Sequence, residues 1–241
     1  METSRISIVI PVYQGATAPP QEQRETWLRL FQAAPKSICW HLVESYRSGE
    51  GLQIIPWLAQ YPQANLRLHP LPLERPQRAA AFNFGIAQTQ TKLVALIHQD
   101  CLPDLAGLTM LAESEEWAWG GFNKCYEPSH WMLKLSSLYQ NQVRFPRGLL
   151  VGTNGFVFPR SFWERHPFRG DFLEDLGFSD QIQKELGRPK SFGILRVSST
   201  RYHRRGVARC LLENSLILLG YRLGLSPRFL RQFYRPMKEP C

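Results

Sequence analysis

Four short apolar runs, separated by stretches with helical spacing, constrain the fold of this 241-residue chain more than any other feature. The runs lie at residues 6–10, 37–43, 66–68 and 92–97, and the helical stretches between them at 21–34, 52–61 and 78–89. Such runs predict buried strands, and Pro11 is expected to end the first. Because strands that alternate with helices are typical of parallel sheets, the sequence predicts an α/β fold with a parallel or mostly parallel sheet.

The alternation becomes less regular after about residue 115, and the end of the chain is mainly helical. We expect a strand at 117–122, a helix at 132–143, a turn and strand within 149–158, and helices at 173–186, at 207–225 and after Pro227. The hydrophobic content of 44% suits one domain with a real core. These features predict a single domain, 1–241, with a helical C-terminal extension.

The composition also indicates the cellular compartment in which the protein is found. The chain contains no long apolar stretch without charges, and its first residues lack the features of a signal peptide. Its five cysteines are scattered, without a Cys-x-x-Cys pair. We therefore expect reduced thiols and a cytoplasmic protein.

Positive charge is concentrated at the C-terminus. The net charge is +9, and residues 201–241 hold nine Lys/Arg against two Glu, which leaves +2 for the rest. A basic segment on a near-neutral body indicates an anionic partner, either the phosphates of a ligand or anionic lipid headgroups. The sequence carries no motif that reads DNA or RNA, so a nucleic-acid partner is not expected.

The basic C-terminal segment leaves three arrangements open. Its long helix carries Arg209, Glu213 and Arg222, so it is not expected to span a membrane. The mixture of aromatic residues and arginines after Pro227 resembles a helix that lies at a membrane surface. Packing on the rest of the domain, or on a second subunit in a homodimer, explains the same residues.

A His-x-Asp triplet follows the fourth apolar run. Since alternate strand residues point to the same side, we expect His98 and Asp100 to leave the strand end together. Imidazole and carboxylate bind divalent cations, and open sheets bind ligands at the carboxyl ends of their strands. These residues predict a site for Mn²⁺ or Mg²⁺, with His203 as a further ligand. The alternatives are a hydrogen-bonded histidine at position 98 and a solvated basic loop around His203.

Other charged residues stand at predicted strand or helix ends. Glu174 and Asp175 begin a helix, where one of them could act as a general base or both could complement the helix dipole. Glu44 follows the second strand and could accept a hydrogen bond from a nucleoside. Arg78 begins a helix, where it could meet a phosphate or remain a surface charge. The cluster of Arg201 with residues 204–205 predicts either a diphosphate or lipid contact, or a solvated loop.

Several segments, taken in order, resemble the family 2 glycosyltransferases with the GT-A fold. They lie at residues 7–13, 78–85, 97–103, 172–175, 201–207 and 219–227. Their order and spacing are most similar to the subgroup of arsenosugar-biosynthesis glycosyltransferase-like proteins. Each motif is weak alone, but together they extend over nearly the whole chain.

The resemblance implies a GT-A-like fold: a mostly parallel mixed sheet flanked by helices, with a donor half at 1–115, an acceptor half at 116–200 and a basic helical extension at 201–241. It also implies a nucleotide-sugar donor, a hydroxyl acceptor that is a small molecule or lipid-linked, inversion at the anomeric carbon and a divalent metal. Asp175 would be the base. The remaining residues that it assigns bind the donor (Pro11, Tyr13, Glu44, Arg78 and Asp100) or the metal (His98, Asp100 and His203).

The sequence departs from the family pattern at four places. Glu44 stands where the family has Asp, and the glycine–serine turn after it has become Ser45-Tyr46-Arg47-Ser48. Residues 152–155 read Gly-Thr-Asn-Gly in place of Gly-Asp-Gln-Gly, and Gln14-Gly15 replaces an acidic residue. These departures keep a catalytically inactive nucleotide-sugar-binding protein as an alternative, beside a peripheral membrane glycosyltransferase. A nucleotidyltransferase is disfavoured, because residues 14–20 form no glycine-rich basic loop.

Overall fold

The computed structural model describes residues 5–13, 21–47, 51–63, 65–74, 77–170 and 172–234. The predicted features at Gln14-Gly15, at Ser48 and at the C-terminal residues 235–241 lie outside these ranges. Ten α-helices within them are α1 Gln21–Ala33, α2 Ile54–Leu58, α3 Arg78–Ala87, α4 Leu105–Ala112, α5 Trp131–Tyr139, α6 Arg160–Arg165, α7 Glu174–Leu186, α8 Thr200–Arg205, α9 Val207–Arg222 and α10 Pro227–Leu230.

Eight strands form one mixed sheet in the described part of the chain. They are β1 Ile6–Tyr13, β2 Ile38–Tyr46, β3 Leu66–Pro72, β4 Leu93–Leu96, β5 Cys101–Pro103, β6 Gly120–Glu127, β7 Phe156–Pro159 and β8 Lys190–Ser198. Their order is β3-β2-β1-β4-β7-β6-β8-β5. The first four strands are parallel, and β7 is antiparallel to both β4 and β6. The predicted mixed, mostly parallel sheet with flanking helices is confirmed.

The strand order creates a switch point between β1 and β4. The chain adds β2 and β3 on one side of β1 and then returns to place β4 on the other side. At such a point the connections leave the sheet in opposite directions, so a crevice opens at the carboxyl ends of the two strands. The fold therefore places its natural ligand crevice beside the residues that follow β4.

Both faces of the sheet are covered, which explains the continuous apolar runs of the sequence. Ile8 and Ile10 of β1 pack on one face with Trp27 of α1, whereas Val9 packs on the other face with Phe82 of α3. Alternate strand residues thus enter two separate cores. In the described residues, no helix is long and apolar enough to cross a membrane.

Strands β1, β2, β3 and β6 run well beyond their predicted ends, and the extensions of β1 and β2 bear on the candidate site. β1 does not end at Pro11 but continues to Tyr13, beside β2. It pairs with β4 only as far as Val9, so Pro11 lies where β1 has one paired neighbour, a position at which sheets accept proline. β2 continues to Tyr46, and Glu44 therefore lies within this strand instead of following it.

Helix α3 packs unusually close to the sheet because of Gly85. A Cβ atom at this position would lie 2.4 Å from Cγ1 of Val9 and 2.8 Å from Cγ2 of Val43. The absence of a side chain allows α3 to approach β1 and β2, and the N-terminus of this helix faces the switch-point crevice. Gly85 thus helps to position Arg78, the first residue of α3.

We expect Gly85→Ala to lower the free energy of unfolding by about 1–3 kcal/mol, because the added methyl group overpacks the contact between α3 and the sheet. Equilibrium urea unfolding measures the change. Gly177→Ala is the matched control, since Gly177 also lies in a helix but has no atom within 4 Å of an added Cβ. Equal effects of the two substitutions would contradict the close packing.

Candidate functional site

Five segments meet at the carboxyl edge of the sheet near the switch point. His98 and Asp100 follow β4, Arg78 begins α3, the turn Gly152–Asn154 precedes β7, α7 begins with Glu174, and α8 follows β8. The amide of Ser198, at the end of β8, donates to the carbonyl of Asp100 at 2.9 Å, which joins the start of α8 to this edge. Most of the predicted site residues therefore lie in one region.

Arg78 forms ion pairs with two adjacent carboxylates of α7. Its Nε atom donates to Oε1 of Glu174, and its Nη2 atom lies 3.8 Å from Oδ2 of Asp175. Both acidic residues are buried. The predicted position of Arg78 at a helix start is confirmed, while its contact with a phosphate stays a prediction. The guanidinium already serves to neutralise buried charge.

The two carboxylates of α7 have different surroundings. Asp175 accepts hydrogen bonds from the amide of Gly152 at 2.8 Å and from the amide of Leu176 at 3.0 Å. Oε2 of Glu174 is buried, and no described residue donates a hydrogen bond to it. The Asp175 side chain is 11% exposed and that of Glu174 only 1%. Asp175 is therefore the more accessible of the two to a ligand in the crevice.

His98 is enclosed between an aromatic ring and a glycine. Its ring lies edge-on to Phe82, with the centroids 5.5 Å apart. A Cβ atom on Gly152 would lie only 2.2 Å from Nε2 of His98, so a side chain at position 152 would force the His98 ring to move. Burial, together with the positive charge of Arg78, lowers the pKa of His98 to about 3. The imidazole is therefore neutral near pH 7 and keeps a lone pair for a cation or a hydrogen bond.

Asp100 lies in a turn and not in a continued strand. β4 ends at Leu96, and the amide of Cys101 donates to the carbonyl of His98 at 3.0 Å. The prediction that strand alternation aims His98 and Asp100 together is wrong, because the strand period ends before both residues. Asp100 is exposed. Desolvation by the surrounding protein atoms nevertheless raises the pKa of its carboxyl above the ordinary value, and a hydrogen bond from the Cys101 thiol opposes this shift.

Arg201 presents unpaired donors near Asp100. The positive charges of Arg78 and Arg201 both act on the Asp100 carboxyl and favour its ionised form. The guanidinium of Arg201 stacks on Tyr234, 4.6 Å from the ring centroid, and donates to its hydroxyl at 2.5 Å. Nε and Nη2 of Arg201 are buried, and among the described residues nothing accepts from them. The predicted basic loop is instead a short helix, on which Nη1 of Arg205 is likewise buried without an acceptor among the described residues.

The predicted metal ligands do not form a closed cage. Across the described ranges, no group of three or more His, Cys, Asp or Glu side chains is arranged to hold a metal ion. His203 is exposed on α8, and its ring lies 6.2 Å from that of His130. Metal binding by His98, Asp100 and His203 stays a prediction. The donor set fits an ion that takes one carboxylate from the protein and its other ligands from phosphates and water, as Mg²⁺ often does.

The carboxylate of Glu44 caps the N-terminus of helix α2. Its buried carboxylate accepts hydrogen bonds from the amides of Gln53, Ile54 and Ile55 at 2.7, 2.9 and 2.7 Å. These amides lie at the N-terminus of α2, which cannot satisfy them internally. A nucleoside contact by Glu44 stays a prediction. The predicted donor contacts of Pro11 and Tyr13 also stay predictions. Pro11 is buried within β1, and the side chain of Tyr13 lies outside the described part of the structure.

Sequence reasoning missed Lys124. This lysine is buried on β6, and its ammonium group lies 5.4 Å from the ring centroid of Tyr126. Desolvation, followed by the charge of Arg144, lowers the pKa of Lys124 to about 8. The hydroxyl of Tyr126 is hydrogen-bonded to that of Tyr202 at 3.1 Å. The signal was available, because strand alternation places Lys124 between the inward-facing Phe122 and Tyr126.

We expect Glu44→Ala to lower the free energy of unfolding by about 1–3 kcal/mol, since it leaves buried amides of α2 without an acceptor. Chemical denaturation measures this loss, and Glu22→Ala, which removes an exposed acid from the first turn of α1, is the control. Unchanged stability with a loss of nucleotide affinity would instead support the ligand role of Glu44.

Gly152→Ala is expected to lower the free energy of unfolding by about 1–3 kcal/mol, because the new methyl group must displace the His98 ring from its contact with Phe82. Urea unfolding beside Gly177→Ala measures the effect. If both variants kept the stability of the original chain, the close approach of Gly152 to His98 would be refuted.

The chain matches solved structures, although no family model and no curated protein matches it. One is a mannosyltransferase from Pyrobaculum calidifontis in complex with GDP-mannose and Mn²⁺, at 15% identity and a TM-score of 0.58 over 80% of this chain. A second is glucosyl-3-phosphoglycerate synthase from Mycobacterium tuberculosis with Mg²⁺ and UDP, at 14% identity, a TM-score of 0.51 and 81% coverage. A third is S. aureus TarS, at 12% identity, a TM-score of 0.54 and 81% coverage.

The chain spans only part of these proteins. It covers 56% of the mannosyltransferase, 70% of the synthase and 35% of TarS. At such low identity the similarity establishes the fold and not the activity, and nothing in it singles out the arsenosugar subgroup. The chain therefore has the GT-A fold of these glycosyltransferases.

Proposed function

We propose that this chain is a glycosyltransferase that moves a sugar from a nucleotide-diphosphate donor to a hydroxyl acceptor. The observation that carries the proposal is the grouping of Asp100, Arg201 and the α7 carboxylates at the carboxyl edge between β1 and β4. Diphosphate, metal and acceptor chemistry need these residue types together. The solved structures with the same fold, which hold GDP-mannose or UDP with Mn²⁺ or Mg²⁺, support the same reading.

The donor diphosphate would bind between Asp100 and Arg201. The buried Nε and Nη2 atoms of Arg201 have no acceptor among the described residues, and phosphate oxygens are the acceptors that a guanidinium fork suits best. A divalent ion held by Asp100, and otherwise by phosphate oxygens and water, would supply Lewis-acid neutralisation of the leaving diphosphate. Ligation by His98 and by His203 stays a prediction. The donor half at 1–115 would bind the nucleoside through Pro11, Tyr13 and Glu44, and Arg78 stays a predicted contact of a donor phosphate.

Asp175 would take the proton from the attacking acceptor hydroxyl. The amides of Gly152 and Leu176 fix its orientation, and it is more exposed than Glu174. A single displacement assisted by one base inverts the anomeric centre, so the proposal includes inversion. Arg78 would act as a positioning residue, because it holds both carboxylates at the start of α7. The acceptor half at 116–200 contributes Gly152 and Asp175 to this side of the crevice.

The alternative is a protein that binds nucleotide sugars without catalysis. The contacts of Asp175 with two main-chain amides and of Glu174 with Arg78 also make structural sense, which is the observation that keeps this alternative. The cytoplasmic location and the nature of the acceptor stay predictions.

Thermal shift with nucleotide diphosphates and Mn²⁺, together with release of nucleotide from UDP-glucose and GDP-mannose, tests the proposal. We expect Asp175→Asn to lower turnover by about 10²–10⁴-fold while the thermal shift persists, because only the base is lost. Asp100→Asn should lose the Mn²⁺-dependent part of the shift. Glu113→Gln, an exposed acid after α4, is the control.

Each other outcome has a definite meaning. Full turnover by Asp175→Asn would refute the assignment of the base. A thermal shift with every donor and no nucleotide release would favour the non-catalytic binding protein. No shift with any nucleotide would contradict both functions.

A further inference from the structure

Helices α5 and α9 are apolar on two sides, although water-soluble helices need only one apolar side. Leu133 of α5 packs in the core on one face of the sheet, and Leu211 of α9 packs against the same core. The opposite sides of both helices carry large apolar residues that are each more than half exposed. They are Trp131, Leu135, Leu138 and Tyr139 of α5, and Leu212, Leu216 and Leu219 of α9, followed by Leu223 just beyond α9.

These side chains form one surface, which we call the α5–α9 face. The two helices lie side by side on the same core. Their exposed apolar side chains therefore all face the solvent on the same side of the molecule. α10 packs beside Gly220 of α9, and the groove between these helices has a volume of about 490 Å³. Its lining is mainly apolar and includes Leu216, Ile217, Leu225, Phe229 and Phe233. A continuous exposed apolar surface of this kind marks an interaction site.

The segments that form and flank the α5–α9 face carry mostly positive charge. Residues 128–149 contain three Lys/Arg and no acid, and residues 204–234 contain six Arg and one acid, Glu213. Glu213 is paired with Arg205 at 2.9 Å and with Arg209 at 3.1 Å, and Asp180 of α7, which contacts the end of α9, is paired with Arg222 at 3.6 Å. Lys134, Arg204 and Arg228 are exposed on or beside the two helices and α10. A partner that fits this face must therefore present both apolar groups and negative charge.

We propose that the α5–α9 face binds the surface of an anionic membrane. Apolar side chains would enter the boundary between headgroups and acyl chains, and the surrounding cations would contact acidic headgroups. A second copy of the chain fits less well, because a symmetric interface apposes each patch with its own copy and would bring like charges together. The proposal is independent of the sugar-transfer reaction, since none of the catalytic candidates belongs to this face.

Co-sedimentation of the full chain with vesicles tests the proposal. We expect binding to phosphatidylcholine vesicles with about one quarter phosphatidylglycerol to exceed binding to pure phosphatidylcholine by about tenfold or more, and to weaken in high salt. Leu216→Glu with Leu223→Glu should abolish it. Ile194→Glu is the matched control, because Ile194 is 47% exposed on β8 and lies on the opposite side of that strand from the buried Leu195.

A second variant avoids any change in apolar packing. Arg204→Glu with Arg228→Glu should weaken binding to the anionic vesicles at least about tenfold while the melting temperature stays near that of the original chain. Equal binding to charged and uncharged vesicles, or a full chain that remains in the supernatant, would overturn the proposal. So would a stable dimer in sedimentation velocity that dissociates on Leu216→Glu, since a second copy would then occupy the face.

Discussion

The ion pairing of Arg78 with Glu174 and Asp175 is the interaction on which the candidate site depends. Two adjacent carboxylates at the start of α7 are buried, and removal from water is costly for a charge that has no partner. The guanidinium at the start of α3 supplies that partner. Because these residues stand 96 positions apart, the contact also joins the first part of the sheet to the helices that follow β7.

A chain of close contacts transmits this arrangement to the end of β4. Asp175 accepts the amide of Gly152, and the bare Cα of Gly152 leaves room for the ring of His98. His98 opens the turn that contains Asp100, whose carbonyl accepts the amide of Ser198 just before α8. A displacement of one member would therefore move the others, so the base candidate and the metal candidate are mechanically connected across the crevice.

The sequence predicted the parts of the fold that depend on simple periods. The buried run of β4, the small-residue helix α3 and the acidic start of α7 were all located within a few residues. β8 was missed because its alternation of buried and exposed residues changes phase partway along the strand. Gly193 has a φ of +101° at this point, and the register with the partner strand β6 shifts there. β5 was missed because three residues are too few for a periodic signal.

The sequence predicted which types of residue the candidate site contains, but it did not predict most of the contacts between them. Asp100, Arg78 and Asp175 come to one edge as the order of strands implies. Long-range packing that no local pattern encodes produces the pairing of Arg78 with the α7 carboxylates and the capping of α2 by Glu44. It also leaves two donors of Arg201 without an acceptor in the described part of the chain. Strand alternation also failed at His98 and Asp100, because a turn replaces the strand there.

The central claim is that the carboxyl edge between β1 and β4 holds a diphosphate and a divalent ion beside Asp100. A crystal grown with a nucleoside diphosphate and Mn²⁺ tests it most directly, through the anomalous scattering of manganese. The account predicts one manganese peak within direct bonding distance of an Asp100 oxygen, with the diphosphate between it and Arg201. A nucleotide bound elsewhere, or a manganese peak remote from Asp100, would contradict it.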